Sequence, residues 1–385
     1  MDLRTAADLA GISFSYLGQL ERGDKPVNNR RVLEALAMAL RVSPTELTGQ
    51  PWAPVDPVSS DAHASLHEVE TALEAYELGH DPGVEMRPWP EIASDVTQLI
   101  DLMHVHSDYA GQGNLLPLLL PELHAAYVRD PSNRVHILRA LVRAYASATW
   151  TTKRLGGRGL PAIAARLAQE AADELGEPAW TGFAAWLRGD ATGQLSRKQQ
   201  YNRSVRTADS LVPHLDEPDV IQAYGMLQLS AALASAAQSD RDTAATHLDE
   251  ANAVAQRLDD EVGSFARLWF GRANVGIWRV SLATEFGDGP KVAELARGVH
   301  PELIPSPSRK AEFWADLGRS LLDDPGTRDK GMTALLNAEK LAPQRIRNDV
   351  FVREAVSNQL RRARRDAGGR ELRGLAWRMG IAPVG

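Results

Sequence analysis

The 385-residue chain contains no cysteine. Disulfides, thiolate metal sites, iron–sulfur clusters and cysteine nucleophiles are all excluded, in keeping with a reducing compartment. No apolar run approaches the roughly 20 residues that a membrane-spanning helix needs, and no secretory leader opens the sequence. A cytoplasmic protein without membrane contact is the expectation. Strand-like alternation is scarce, which points to an all-α fold. A net basic charge is also missing, since the chain sums to -7. The acidity is uneven: residues 1 to 50 carry six Lys+Arg and six Asp+Glu, residues 345 to 380 carry ten Arg and four acids, and the stretch between holds -13. An acidic body repels DNA, so any contact with nucleic acid is left to the two ends.

Catalytic constellations are absent too. No serine lies in a Gly-x-Ser-x-Gly setting, and Asp249, Glu250, Asp259, Asp260 and Glu261 fall near helix ends or turns, where they read as solvated. The expectation is a protein that is not an enzyme and has no cofactor. His104, His106 and Asp108 suggest a metal only at first sight, because helical residues two apart point about 200° away from each other. Gly156, Gly157 and Gly159 resemble a phosphate cradle in glycine content alone. Without a preceding strand or a Lys-Ser/Thr follow-on, they read as a turn between helices.

What is present is concentrated at the start. In LRTAADLAGISFSYLGQLERG (3 to 23), Leu3, Ala6, Ala7 and Leu9 recur at helical spacing, Gly11 marks a turn, and Ser13 caps a second helix running to about Arg22. Leu17 and Leu20 point inward, which leaves Phe14, Ser15, Tyr16 and Gln19 outward near the end that meets base edges in helix-turn-helix docking.

These residues resemble the Cro/repressor, or XRE-type, helix-turn-helix family. The likeness rests on Leu9-Ala10-Gly11-Ile12-Ser13, Tyr16-Leu17 and Leu20-Glu21-Arg22-Gly23, with RRVLEALAMALRV and Ser43-Pro44-Thr45-Glu46-Leu47 matching the closing helices. The resemblance implies a DNA-binding domain over 1–48. Phe14, Ser15, Tyr16 and Gln19 would face bases, and Ser13, Arg22, Asn28 and Arg30 would meet phosphates. It also implies a further helix ahead of residue 3, so that either the start codon lies upstream or the headpiece lacks its first helix. The headpiece is formally neutral, so one copy would attract phosphates only modestly and a homodimer reading two half-sites would compensate.

Residues 49–61, with Pro51, Pro54 and Pro57, read as an interdomain linker. Residues 62–380 then read as paired helices. Small-residue helices at 160 to 175, 241 to 258, 289 to 299 and 328 to 343 each follow a longer, more aromatic one at 134 to 155, 218 to 238, 263 to 286 and 308 to 322. Such pairs bury their apolar faces by stacking, which predicts a tetratricopeptide-like α-solenoid, with a plain helical bundle as the alternative. Phe270-Gly271-x-x-Asn274-Val275, Leu303-x-Pro305-Ser306-Pro307, Ala334-Leu335-Leu336-x-Ala338-Glu339 and the run Leu360 to Arg365 are similar to actinobacterial regulators that join an XRE headpiece to such a domain. Where that pattern has Pro-Thr before the Asn and a His after it, this chain has Arg272-Ala273 and Trp278.

The solenoid's concave face is the expected effector site for a peptide, metabolite or protein. On helix 263 to 286 a stripe of Arg267, Gly271, Asn274 and Trp278 offers a guanidinium, a carboxamide and room for close approach. Tyr224 and Gln228 share a face on the preceding long helix. The competing reading has Asn274 satisfying a buried backbone group and Trp278 packing in the core. The basic tail Arg361, Arg362, Arg364 and Arg365 either touches DNA or a partner subunit, or is a solvated helix end. The whole implies a DNA-binding transcription regulator, and the alternative is an interaction scaffold whose headpiece no longer binds DNA.

Overall fold

The structure, a computed structural model, describes residues 1–52, 57–191, 196–363 and 369–381, with backbone alone for 57–59 and 290. The described residues form α-helices joined by short 3-10 and π turns, with no strand among them. The chain opens with α1 (Leu3–Ala10), α2 (Phe14–Glu21), α3 (Arg30–Leu40) and α4 (Pro44–Thr48). Local chemistry sets these ends. The Asp2 side chain accepts from the Thr5 N–H, Gly11 turns in the left-handed region at φ 60, and Ser13 Oγ accepts from the Tyr16 N–H at 3.1 Å. Asn29 caps α3 through the Val32 N–H, and Ser43 and Glu46 close a reciprocal capping box on α4. Ala7, Ala10, Leu17, Val32 and Leu36 form the core of this headpiece.

The body continues with α5 (Pro57–Ala75), α6 (Trp89–Asp101), α7 (Tyr109–Arg129), α8 (Arg134–Arg154), α9 (Leu160–Leu175) and α10 (Pro178–Ala191). After these come α11 (Arg197–Leu211), α12 (Pro218–Ala236), α13 (Arg241–Ala255), α14 (Arg272–Glu285), α15 (Val292–Ala296) and α16 (Pro307–Leu322). The chain closes with α17 (Arg328–Leu341), α18 (Pro343–Arg347), α19 (Val350–Ala363) and α20 (Arg370–Arg378). Long helices pack on their sequence neighbours, most extensively α8 on α9, α12 on α13 and α16 on α17. Ala144, Ala148, Ala164, Ala165 and Ala168 are fully buried and permit the close approach of α8 and α9.

Two boundaries differ from the sequence reading. The linker is shorter than 49–61, because Pro57 begins α5: a proline in the first helical turn lacks only an N–H that would have no partner there. The helix expected over 263 to 286 begins only at Arg272. Ahead of it the chain folds into a loop that puts Ala266, Arg267 and Trp269 at φ 46, 58 and 54, conformations L residues hold only under constraint. The constraint comes from α12. Phe270 is fully buried against Gly225, and the Gln222 carboxamide accepts from the Phe265 N–H at 2.9 Å. At Gly271 a Cβ would stand 2.4 Å from the Glu261 carbonyl oxygen, so only glycine lets the chain pass there.

Candidate functional site

In the headpiece, Leu17 is buried and Leu20 partly so, which turns the other side of α2 outward. Ser13, Phe14 and Ser15 are exposed, Phe14 to 52 %, with Tyr16 and Gln19 half-buried beside them. Lys25 lies over the Tyr16 ring, and Arg4 over that of Phe14. Arg22 is outward as well and pairs with Asp24 at 2.9 Å.

Asn28 and Arg30, which the family likeness places for phosphates, are both engaged with the body in this structure. Asn28 accepts from Arg319 Nη1 through both its carbonyl (2.8 Å) and its side-chain oxygen (3.1 Å). The Glu285 carboxylate, on α14, takes the Arg30 N–H at 2.5 Å, Arg30 Nη1 at 2.7 Å and the Arg31 N–H at 3.4 Å. An anion at a helix N-terminus complements both the free N–H groups and the helix dipole. Here an internal carboxylate, not a nucleic-acid phosphate, holds that position on α3. The dock extends further: Arg197 grips Glu34 at 2.7 Å, Asn358 donates to the Gly23 carbonyl at 2.7 Å, and Arg362 donates to that of Asp24 at 3.0 Å. Burial pushes the Glu34 carboxyl above its ordinary range even with Arg197 beside it. Arg361 packs against Gly23 and pairs with Glu354, so the described part of the basic tail is engaged with the headpiece rather than solvated. Arg364 and Arg365 lie outside the described residues.

Headpiece and body enclose a cavity of about 820 Å³. Arg30, Ser43, Glu46 and Gln50 form its headpiece side. Trp150, Trp186, Trp269 and Trp278 supply aromatic surface from four separate stretches of the body. Three of the expected effector residues reach it, though not as a stripe on one helix. Arg267 comes from the strained loop and pairs with Asp101 at 3.2 Å, whereas Asn274 and Trp278 stand on α14. Asn274, 1 % exposed, donates to the Leu268 carbonyl at 3.2 Å and accepts from Arg309 Nε at 2.8 Å. It therefore braces the loop and aims Arg309, whose guanidinium lies 5.0 Å from the Trp278 ring centre. Tyr224 and Gln228 do not belong to this wall. Both face α13, where Tyr224 donates to Glu250 at 2.9 Å and Gln228 meets His247 at 2.6 Å. Being on one side of a helix does not say which neighbour that side meets.

Several cavity residues escaped the sequence reading because their chemistry depends on partners far along the chain. Glu312 is shared by Arg309 (2.5 Å) and Arg345 (2.9 Å), with Arg154 nearby. Burial alone would raise its carboxyl, yet the three guanidiniums hold it well below the carboxylate range. Lys153, paired with Asp190 at 2.8 Å, is brought down to about 8 by burial against that carboxylate's pull. The 156–159 turn between α8 and α9 lines the cavity too, with Gly156 against Pro51.

His104, in a π turn spanning Leu102–His106, is wedged between the Trp150 and Trp269 rings, whose centres lie 5.7 and 6.4 Å away. His106 is exposed, and Asp108 caps α7 through the Gly111 N–H. Among the described residues no group of three His, Asp or Glu gathers as metal ligands would. Burial brings the His104 ring down to about 3, with Arg267 and Arg143 adding to the effect, and burial brings His124 down to about 4. Between pH 6.5 and 4 the unfolded chain therefore binds protons at these sites that the folded chain refuses, and stability falls as pH drops through that window. The urea midpoint is expected to be lower at pH 4.5 than at pH 6.5, with a shallower pH slope in His104→Phe. An identical slope in both proteins would show that His104 is not held neutral.

None of the described helices is long and apolar enough to cross a membrane. No family profile, curated protein or solved structure matches this chain.

Proposed function

We propose that this protein is a cytoplasmic, sequence-specific DNA-binding regulator whose headpiece is of the XRE helix-turn-helix type and whose body is a tetratricopeptide-like helical repeat that receives an effector. The observation that supports it most directly is the outward face of α2: Ser13, Phe14 and Ser15 are exposed, with Tyr16 half-buried beside them, while Leu17 and Leu20 anchor the helix from behind. The neighbour-on-neighbour packing of α8 to α13 supports the repeat reading. Pairing of two copies on a two-half-site operator would double the phosphate contacts of a neutral headpiece, and exposed Leu9, Met38 and Leu40 offer apolar area for it. The effector's wall includes headpiece residues, so ligand and operator affinity are linked through the placement of the headpiece.

Selection from random DNA with the full chain should enrich a motif. Replacing Tyr16 and Gln19 together with alanine should then weaken binding to that motif by about tenfold or more, the loss expected for removing base contacts. Undiminished binding would remove α2 as the reading helix. The internal engagement of Asn28 and Arg30 favours a second reading, an interaction scaffold with a headpiece that no longer binds DNA. Under that reading no motif is enriched.

A further inference from the structure

The cavity between headpiece and body has a chemical bias in its wall. Nine Lys and Arg side chains line it against five carboxylates, Glu46, Asp190, Glu312, Asp316 and Asp349. Three of those cations are held from behind by acids outside the lining: Arg30 by Glu285, Arg197 by Glu34 and Arg267 by Asp101. The remaining excess centres on Arg154, Arg309 and Arg345. Arg309 and Arg345 share the one carboxylate of Glu312, and Arg154 approaches Asp349 only to 3.9 Å.

Hydrogen-bonding capacity is biased in the same direction. Arg154 Nε, Arg309 Nη2, Trp269 Nε1 and Trp278 Nε1 are buried and have no acceptor within reach. All four are obligate donors. Among the described lining residues the remaining unmet polar atom is the Ser308 hydroxyl, which can also donate. Buried donors without partners are uncommon in folded proteins and point to a missing acceptor. All four belong to side chains that line the cavity. Trp150, Trp186, Trp269 and Trp278 add broad ring faces suited to a flat apolar body. About 820 Å³ falls in the range of small-molecule sites.

We propose that this cavity binds a small organic oxyanion carrying a flat ring, with the anion among Arg154, Arg309 and Arg345 and the ring against the tryptophans. The inference deepens the effector-site part of the proposed function and rests on it, but it needs no DNA to be tested. 1-Naphthoate is the probe, and uncharged 1-naphthalenemethanol is its control, each titrated into the full chain by calorimetry and by quenching of tryptophan fluorescence. Naphthoate should bind at one site per chain and about tenfold or more tighter than the carbinol, as expected for charge-assisted hydrogen bonds. Arg154→Gln should narrow that difference severalfold while leaving carbinol binding unchanged. If that variant fails to fold, Arg158→Gln at the exposed rim of the cavity provides the same comparison with a smaller effect. Equal binding of the two probes, binding of neither, or indifference to both variants would overturn the proposal. Naphthoate binding in a chain that enriches no DNA motif would overturn the regulator reading and leave this one standing.

Discussion

Replacing Glu285 with alanine is expected to loosen the headpiece from the body, raising amide exchange at Arg30 and Arg31 by about two orders of magnitude. That corresponds to about 3 kcal/mol, the lower end of what removing one partner of a buried ion pair costs, because Arg30 keeps 30 % of its side-chain surface in solvent while Glu285 keeps 1 %. Two terms add. The Arg30 guanidinium loses its counter-charge, and two N–H groups at the start of α3 lose their acceptor. Glu285→Gln separates them, since a carboxamide oxygen can still accept from the backbone but brings no charge. Its effect should fall between those of wild type and alanine. Hydrogen exchange followed by mass spectrometry over residues 23–42 reads both variants, and unchanged exchange in Glu285→Ala would mean that the dock is held elsewhere. If the headpiece meets DNA through Arg30, the same substitution frees that side chain, and operator affinity should rise as stability falls.

The second large effect is expected at Gly225. In the middle of a helix, glycine to alanine ordinarily stabilises by about 1 kcal/mol. Here the added Cβ would sit 1.9 Å from Phe270 Cζ, inside a ring that is fully buried. Neither partner has room to yield: α12 is buried over most of its length, and the strained loop returns into α14 at once. Gly225→Ala should therefore destabilise by about 3 kcal/mol, the upper part of the overpacking range. Phe270→Leu alone loses ring contacts, but in combination with Gly225→Ala it makes room for the new methyl. The double variant should therefore be more stable than the sum of the two single effects, a coupling readable from urea midpoints. Additive effects would show that the two side chains do not constrain each other. Because this contact seats the loop bearing Arg267 and Trp269, Gly225→Ala should also abolish naphthoate binding.

Elements governed by neighbours in sequence were legible from the sequence alone. The two short opening helices, the turn at Gly11 and the cap at Ser13 follow from residues within a few positions of one another, and the structure places α1 at Leu3–Ala10 and α2 at Phe14–Glu21. Helices α9 and α17 likewise begin where alanine-rich periodicity announced them. The break in 263 to 286 was not legible, because it is imposed by Gln222 and Gly225 on another helix and not by the local pattern. The same limit applies to the cavity. Asn274 and Trp278 stood out as a polar and an aromatic residue one turn apart, but nothing near them in sequence identifies Glu312 or Arg345 as partners. The roles of Asn28 and Arg30 followed the family likeness outward, whereas the acceptor that engages Arg30 lies 255 residues away.

The grip of α19 on the turn after α2 has a consequence for biosynthesis. Asn358 donates to the Gly23 carbonyl across 335 residues of chain. At about 5–20 residues per second, a ribosome needs roughly 20–70 s to add that span. During that interval the distant clamps arrive one at a time, Arg197 first, then Glu285 and Arg319, and Asn358 last, so until they do the early helices must persist on a small alanine-rich core or wait as a fluctuating segment. The finished clasp, with its long sequence separation, belongs to the slow, late part of folding, so truncation of the last helices would strip the turn after α2 of its partners while leaving the start of α3 held by Glu285 and Arg319.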